Sequence, residues 1–269
     1  MRAFINHFSF EFRTGMRDKT LLLMNYLLPL GFYAMIGMLM TEINPTFRDT
    51  MIPAMVVFAI LSSMVLGLPN PLVSSREAGI FRSYKINGVP AVSILTIPAL
   101  TTILHMIVVA AIITTTASLF FDAPSPVNWA GFVLVLLLTA FTCAGIGVLI
   151  GVISSDSRST VLWSQLIFLP SMILGGLMIP SSMLPKMLSK VGLLLPSTYA
   201  MHAFQGLGQN LDTAFDPLWS VIILLTSGIL CFGLAIYLFS WDRRNTTRRG
   251  HPLLALLAFL PYVVGVLLS

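Results

Sequence analysis

Charge is what this chain has least of. Only 9% of its 269 residues are Asp, Glu, Lys or Arg, while 57% are hydrophobic; soluble domains carry about 25% charged residues. That scarcity excludes a soluble globular protein and points to an integral membrane protein. Cysteine is scarce as well. Cys143 and Cys231 both fall in apolar runs, where they are expected to be small buried hydrophobes rather than a disulfide or metal ligands. A cleavable leader is not expected, because the first twenty residues carry Arg2, Glu11, Arg13, Arg17, Asp18 and Lys19 in place of an apolar core. A phosphate-binding loop is also missing. The stretch FRTGMRDKT sets Gly15 four residues before Lys19-Thr20, but Asp18 stands where phosphate cradling needs glycine. Nucleotide hydrolysis by that route is therefore excluded for this chain. His7, His105, His202 and His251 are scattered and form no catalytic or metal-binding spacing, which argues against an intramembrane enzyme.

What the chain does have is apolar runs. A helix needs about 20 residues to cross the hydrocarbon, and spans are expected near 21–40, 51–73, 91–120, 129–153, 160–180 and 217–240. The loops between them sort by charge. One alternating set holds twelve of the fifteen basic residues, among them Arg2, Arg13, Arg17, Arg76, Arg82, Lys85, Arg158, Arg243 and Arg244. The other holds only Arg48, Lys186 and Lys190, while the ten acidic residues divide evenly. By the positive-inside rule the amino-terminal segment and the 74–90, 154–159 and 241–251 loops are cytoplasmic. The net charge of +5 thus follows from topology, and no nucleic-acid partner is needed.

Several segments are more particular. Residues 1–19 set Phe4, Phe8 and Phe12 on one helical face, the pattern of an amphipathic helix lying in the interface. Asn25, Tyr26 and Tyr33 sit within the first span, either as interhelical hydrogen-bonding groups or facing a pathway between subunits. Pro69 and Pro71 are expected to distort or end span two. In residues 74–90, SSREAGIFRSYKINGVP, Ser74 or Ser75 can cap a short helix that Asn87-Gly88 stops. It is either a solvated connector or a docking element that offers Phe81 and Tyr84. His105 lies mid-span, a functional candidate by depth, although a neutral, hydrogen-bonded histidine is the blander alternative. Thr114–Thr116 can bond their own helix carbonyls. Gly147 and Gly151 form a small-xxx-small packing pair. From Phe168 to Gly206 a membrane-grade run breaks at Pro180, continues through an amphipathic piece with Lys186 and Lys190, and breaks again at Pro196. Gly175-Gly176 in it allow close backbone approach. After the basic run SWDRRNTTRRG, residues 252–268 are apolar and at the short limit for crossing. A seventh span is favoured there over a re-entrant helix.

The order of these features resembles the membrane subunit of type-2 ABC exporters. The likeness covers residues 1–245. It rests on Arg76-Glu77-x-Gly79 followed by Gly88-Val89-Pro90, and on Phe168-Leu169-Pro170, Gly175-Gly176, Pro180, Pro185, Pro196 and Ala203-Phe204-Gln205-Gly206. Gln205 and Gly175 stand where the family often has Arg and Ser. The resemblance implies an all-α permease domain over residues 1–245, with 246–269 a basic linker and extra apolar helix. It implies a homo- or heterodimer in the plasma membrane, N-terminus cytoplasmic, bound to a separate ATPase subunit that holds ATP and Mg, so that this chain carries no cofactor and is no enzyme. Arg76, Glu77, Gly79, Phe81, Arg82 and Tyr84 would couple to that ATPase. Asn25, Tyr26, Phe32, Gln165, Ser171 and Met172 would line the path of an amphipathic or lipophilic cargo, a drug, antibiotic or lipid. The rival reading is an ion-gradient-driven secondary transporter, which would want a carboxylate at mid-membrane; none of the ten falls inside the expected spans.

Overall fold

A computed structural model describes residues 19–178, 184–242 and 250–269, together with Arg13. The expected amphipathic amino-terminal helix, the break at Pro180 and most of the 241–251 basic run lie outside the described residues. Among those described, every regular element is a helix, and five are long and apolar enough to cross a membrane: α1 (Lys19–Ile43), α2 (Arg48–Glu77), α4 (Ala91–Phe120), α5 (Trp129–Ile153) and α9 (Pro217–Leu238). Between α2 and α4 lies the short α3 (Ile80–Ile86). The expected fifth span is α6 (Ser157–Leu174), shorter and more polar than the five. At 1.5 Å per residue its 18 residues reach about 27 Å.

The pillar of the bundle is α2. Nearly every residue from Met51 to Pro69 is buried, and α1, α4, α5 and α6 pack around it. That burial needs a partner with little side-chain bulk. A Cβ on Gly147 of α5 would stand 2.0 Å from the Met64 carbonyl oxygen of α2, and one on Gly151 would press Leu72. The expected glycine pair is thus the seam where α5 lies against α2, as small-residue packing in membranes predicts. On its other side α5 makes its most extensive pairing, with α9. Cys143 and Cys231 are free thiols buried near that contact.

Two helices carry a wide turn of π-helix: Leu23–Leu27 in α1 and Ser62–Gly67 in α2. They touch, and Ser63 Oγ donates to the Met24 carbonyl at 3.2 Å. Pro98 interrupts α4 near the same level, and the Thr101 and Thr102 hydroxyls both donate to its carbonyl at 2.9 Å. Further along α4, Thr114, Thr115 and Thr116 bond the Ala110, Ala111 and Ile112 carbonyls, as expected. Because Thr116 gives its proton to Ile112, the Tyr33 hydroxyl is the donor in their 2.9 Å bond.

The loops collect at two ends, in the alternation that charge implies. At the basic end, Arg76 reaches the Val152 carbonyl and Arg82 pairs with Asp242. At the opposite end Arg48 approaches Asp122 at 4.0 Å, and Gln209 Nε2 donates to the Asp49 carbonyl at 3.0 Å.

Of two expectations for this stretch, the first holds in its milder form and the second needs correction. Pro69 and Pro71 distort α2 without ending it, because they occupy the first turn after the wide one, where a missing N–H costs little; the helix runs on to Glu77. Ser74 and Ser75 therefore lie in its last turns and cap nothing. Gly79, at φ +74°, makes the corner into α3, and Asn87 with Gly88 at φ +71° ends it, as expected. After α6 the break comes at the glycine pair: the helix stops at Leu174, a Cβ on Gly175 would collide with Ser197 Oγ, and Gly176 takes φ +80°. Two short helices follow, α7 (Lys186–Gly192) and α8 (Pro196–Ala203), the latter running into a π turn at Phe204–Gly208.

The last element, α10 (Pro252–Leu268), begins with eight residues of 3-10 helix and ends with nine of α-helix. With rises of 2.0 and 1.5 Å per residue it extends about 30 Å, against about 25 Å were it all α. Pro252 lines a cavity with Ser154 and Asp242 at the basic end, while Ser269 lines one with Lys186 and Asp212 at the other.

The α2–α5 seam gives a direct test. Gly147→Ala is expected to lower the melting temperature of the detergent-solubilised protein by several degrees, for an overpacking cost of about 1–3 kcal/mol. Gly233→Ala, whose methyl would meet nothing within 4 Å, should leave it unchanged in the same thermal-shift measurement.

Candidate functional site

The residues expected to couple to a partner divide into an inward and an outward set. Arg76, on the last full turn of α2, is buried. Its guanidinium donates to the Val152 carbonyl at 2.9 Å and to that of Ser154, oxygens that the C-terminal turn of α5 leaves without helix partners. A cation there also answers the negative end of the helix dipole. Arg76 thus fastens α2 to α5.

Phe81 is buried too, its ring 5.6 Å from that of Phe239 beyond α9. Tyr84, one turn on, is half-buried and lines a cavity of about 100 Å³. The expectation that Phe81 is offered to a partner is therefore corrected. On a seven-residue helix the aromatics carry most of the apolar area, and that area anchors the helix to its own bundle. What α3 presents outward is Ile80, Arg82, Lys85 and Ile86, with Glu77 at the preceding corner. Arg82 is exposed and paired with Asp242. Lys85 and Ile86 were not among the residues expected to couple; Ile86, five residues after Phe81, falls on the far side of a 3.6-residue wheel, whereas Lys85, four after it, falls on the near side and is exposed all the same. Gly79 supplies the corner that turns α3 across the end of the bundle.

The expected path residues also divide. Phe32 of α1 stacks on Phe58 of α2 at 3.9 Å, and Phe58 meets Phe168 of α6 at 5.8 Å. Gln165 and Met172, three before and four after Phe168, flank this ladder and are half-buried. Gln165 Oε1 has no hydrogen-bond partner. Phe32, Gln165 and Met172 thus gather along one side of the α1–α2–α6 contact. Ser171 does not join them: it is fully buried, and its carbonyl receives the Gly175 N–H and the Ser197 hydroxyl. It braces α6 against α8 and lines no open path. Asn25 is buried, and Tyr26 Oη lies 2.7 Å from His105 Nδ1. Asn25 and His105 share the cavity that Phe81 and Tyr84 close from the basic end; among the described residues no carboxylate lines it.

At the opposite end a larger cavity of about 700 Å³ opens under the glycine break, lined by Lys186, Lys190, His202, Gln205 and Asp212 among others. His202 is buried with Nδ1 unpartnered, and burial pushes its pKa down to about 4, so it is neutral near pH 7. Sequence reasoning named this histidine only as one of four scattered ones and passed over Tyr199, the largest fully buried side chain among the described residues. Tyr199 donates to the Tyr262 carbonyl at 3.5 Å and packs against α10. Among the described residues no three His, Cys, Asp or Glu side chains come together as a metal site.

Two comparisons bear on this arrangement. Residues 3–207, well over half of the chain, match the family described as ABC-2 type transporter. The chain is also similar to a protein of Bacillus subtilis (strain 168) named "Putative transport permease YvfS", 22% identical over 228 residues that span 83% of this chain and 91% of that protein. A buried pillar helix, a short helix pinned across the basic end and a broken segment at the other accord with the family match. The chain belongs to the ABC-2 type transporter family and is a multi-pass membrane permease of that transport system.

Proposed function

We propose that this chain is one half of an ATP-driven exporter that forms its path with a second permease subunit and takes an amphipathic or lipophilic cargo. The observation that carries the reading is how α3 is held. Phe81 ties it to the end of α9, the Arg82–Asp242 pair reinforces that tie, and the adjoining Arg76 locks α2 to α5. A push on α3 is therefore delivered to three spans at once, and rigid-body rearrangement needs such packed contacts. The ATPase subunit, holding ATP and Mg, sits on the outward face of α3, around Glu77, Ile80, Lys85 and Ile86. The basic end is cytoplasmic, and the setting is the plasma membrane.

The bundle crosses six times through α1, α2, α4, α5, α6 and α9, and α10 makes a seventh crossing that brings residue 269 outside. The Phe32–Phe58–Phe168 ladder, with Met172 and Gln165 beside it, supplies aromatic, thioether and amide surface for a cargo with apolar and polar parts. Among the described residues no carboxylate lines the cavity shared by Asn25 and His105, whereas ion-gradient coupling would want one at mid-membrane.

Four outcomes are expected. In proteoliposomes with its ATPase, Glu77→Lys leaves the protein inserted and basal hydrolysis intact but abolishes export and cargo-stimulated hydrolysis; normal values of both would overturn the coupling role. Phe81→Ala removes a buried ring at a cost of about 3 kcal/mol or more and should leave the ATPase bound but export lost. The double change Lys85→Glu with Ile86→Asp should instead lose the ATPase on co-purification. For topology, Ser269→Cys is expected to react with an impermeant maleimide in intact cells, and Ser83→Cys only after permeabilisation.

A further inference from the structure

We propose that the slot between α10 and the main bundle holds one acyl chain of an anionic phospholipid drawn from the leaflet at the basic end. The slot has a volume of about 410 Å³ and is walled by α5, α6, the turn into α8 and α10. Its origin is in the 3-10 geometry of α10. With three residues per turn, side chains three apart stack in straight rows. The row facing the bundle is Pro252, Ala255 and Ala258, and both alanines are buried. Small side chains in a straight row leave a trough where larger ones would have met α5 and α6.

Water does not suit this space. A buried water needs two to four polar partners, and apolar cavities stay dry and take apolar ligands. Here the walls are mostly apolar, with Ile150 and Ile167 on the far side and Trp163 and Phe259 among the rest, and the Tyr262 hydroxyl already receives the Ser227 proton at 2.7 Å. The slot opens sideways, since Leu166, Leu253 and Leu256 line it yet are each more than half exposed. In a bilayer that mouth faces hydrocarbon, so the molecule at hand is a lipid chain. Pro196 and Tyr262 lie towards the opposite end and His251 towards the basic end, which gives the long axis the direction of a chain anchored at the basic-end surface. Charge selects the headgroup. Arg158 is exposed in the first turn of α6, the helix that forms one wall of the slot; basic residues at a membrane surface attract anionic lipid.

Photoreactive phosphatidylglycerol, with a diazirine in its acyl chain, tests the assignment in proteoliposomes of the full chain, read by peptide mass spectrometry. Labelling is expected on the buried walls Ile150 and Ala258. It should fall at least tenfold in Ala255→Trp, which fills the trough, while the exposed Leu27 of α1 is labelled as before. Ala258→Leu is the milder filling variant should the tryptophan prevent folding. The matching phosphatidylcholine probe should label Ile150 at least fivefold less. Labelling confined to exposed positions such as Leu166 and Leu27 would overturn the site, as would Ile150 labelling that both filled variants leave unchanged. Equal labelling by the two headgroups would overturn the anionic preference. None of these readouts depends on ATP, the ATPase or transport.

Discussion

Hydrocarbon offers no hydrogen bond to a backbone amide or carbonyl, and the shape of this permease follows from how its irregular turns meet that constraint. At three irregular or terminal turns among the described residues, a hydroxyl bonds a backbone carbonyl. The wide turn of α1 leaves the Met24 carbonyl to Ser63. The Pro98 carbonyl takes two threonine hydroxyls. The carbonyl of Gly192, at the end of α7, takes Thr198 at 2.6 Å. Serine and threonine are weak helix formers in water. Inside a membrane they allow a helix to bend without exposing the backbone.

The same economy governs the basic end. The last carbonyls of α5 would face the end of the bundle unsatisfied, and Arg76 meets two of them with a cation rooted in the neighbouring span. Because that arginine is buried, its contribution depends on the complete bond set; a buried guanidinium that lost its carbonyls would destabilise the end it now joins. The aromatic anchoring of α3 and the arginine clamp are thus parts of one rigid cap. The opposite end has no such cap, and is built from short helices, a glycine break and an open polar cavity.

Much of this was legible from sequence for a physical reason. Apolar runs and loop charge depend on transfer energies that act residue by residue, so the spans and the two-ended sorting of Arg76, Arg82, Arg48 and Lys186 could be read directly. Gly147 and Gly151 were legible because close approach tolerates few residues. Direction was harder. A helical wheel groups Phe81, Tyr84 and Lys85 on one side of α3, but not whether that side faces the bundle, since an aromatic suits a partner's groove and its own core equally. Ser171 was misplaced for the same reason. That α6 ends at the glycine pair was not readable, because it follows from the tertiary contact of Gly175 with Ser197. The 3-10 character of α10 had no signature in a run of leucines and alanines.

The paired wide turns of α1 and α2 carry a final consequence. Each π turn accommodates one residue more than the helix around it needs. Removing that residue from one helix alone would rotate everything towards the basic end by about 100° relative to the rest. In α2 that swing would carry Arg76 away from the carbonyls of Val152 and Ser154. Since the turns touch at Ser63 and Met24, the two surplus residues form a matched set. A change of register in one span would therefore disturb the turn it touches in the other.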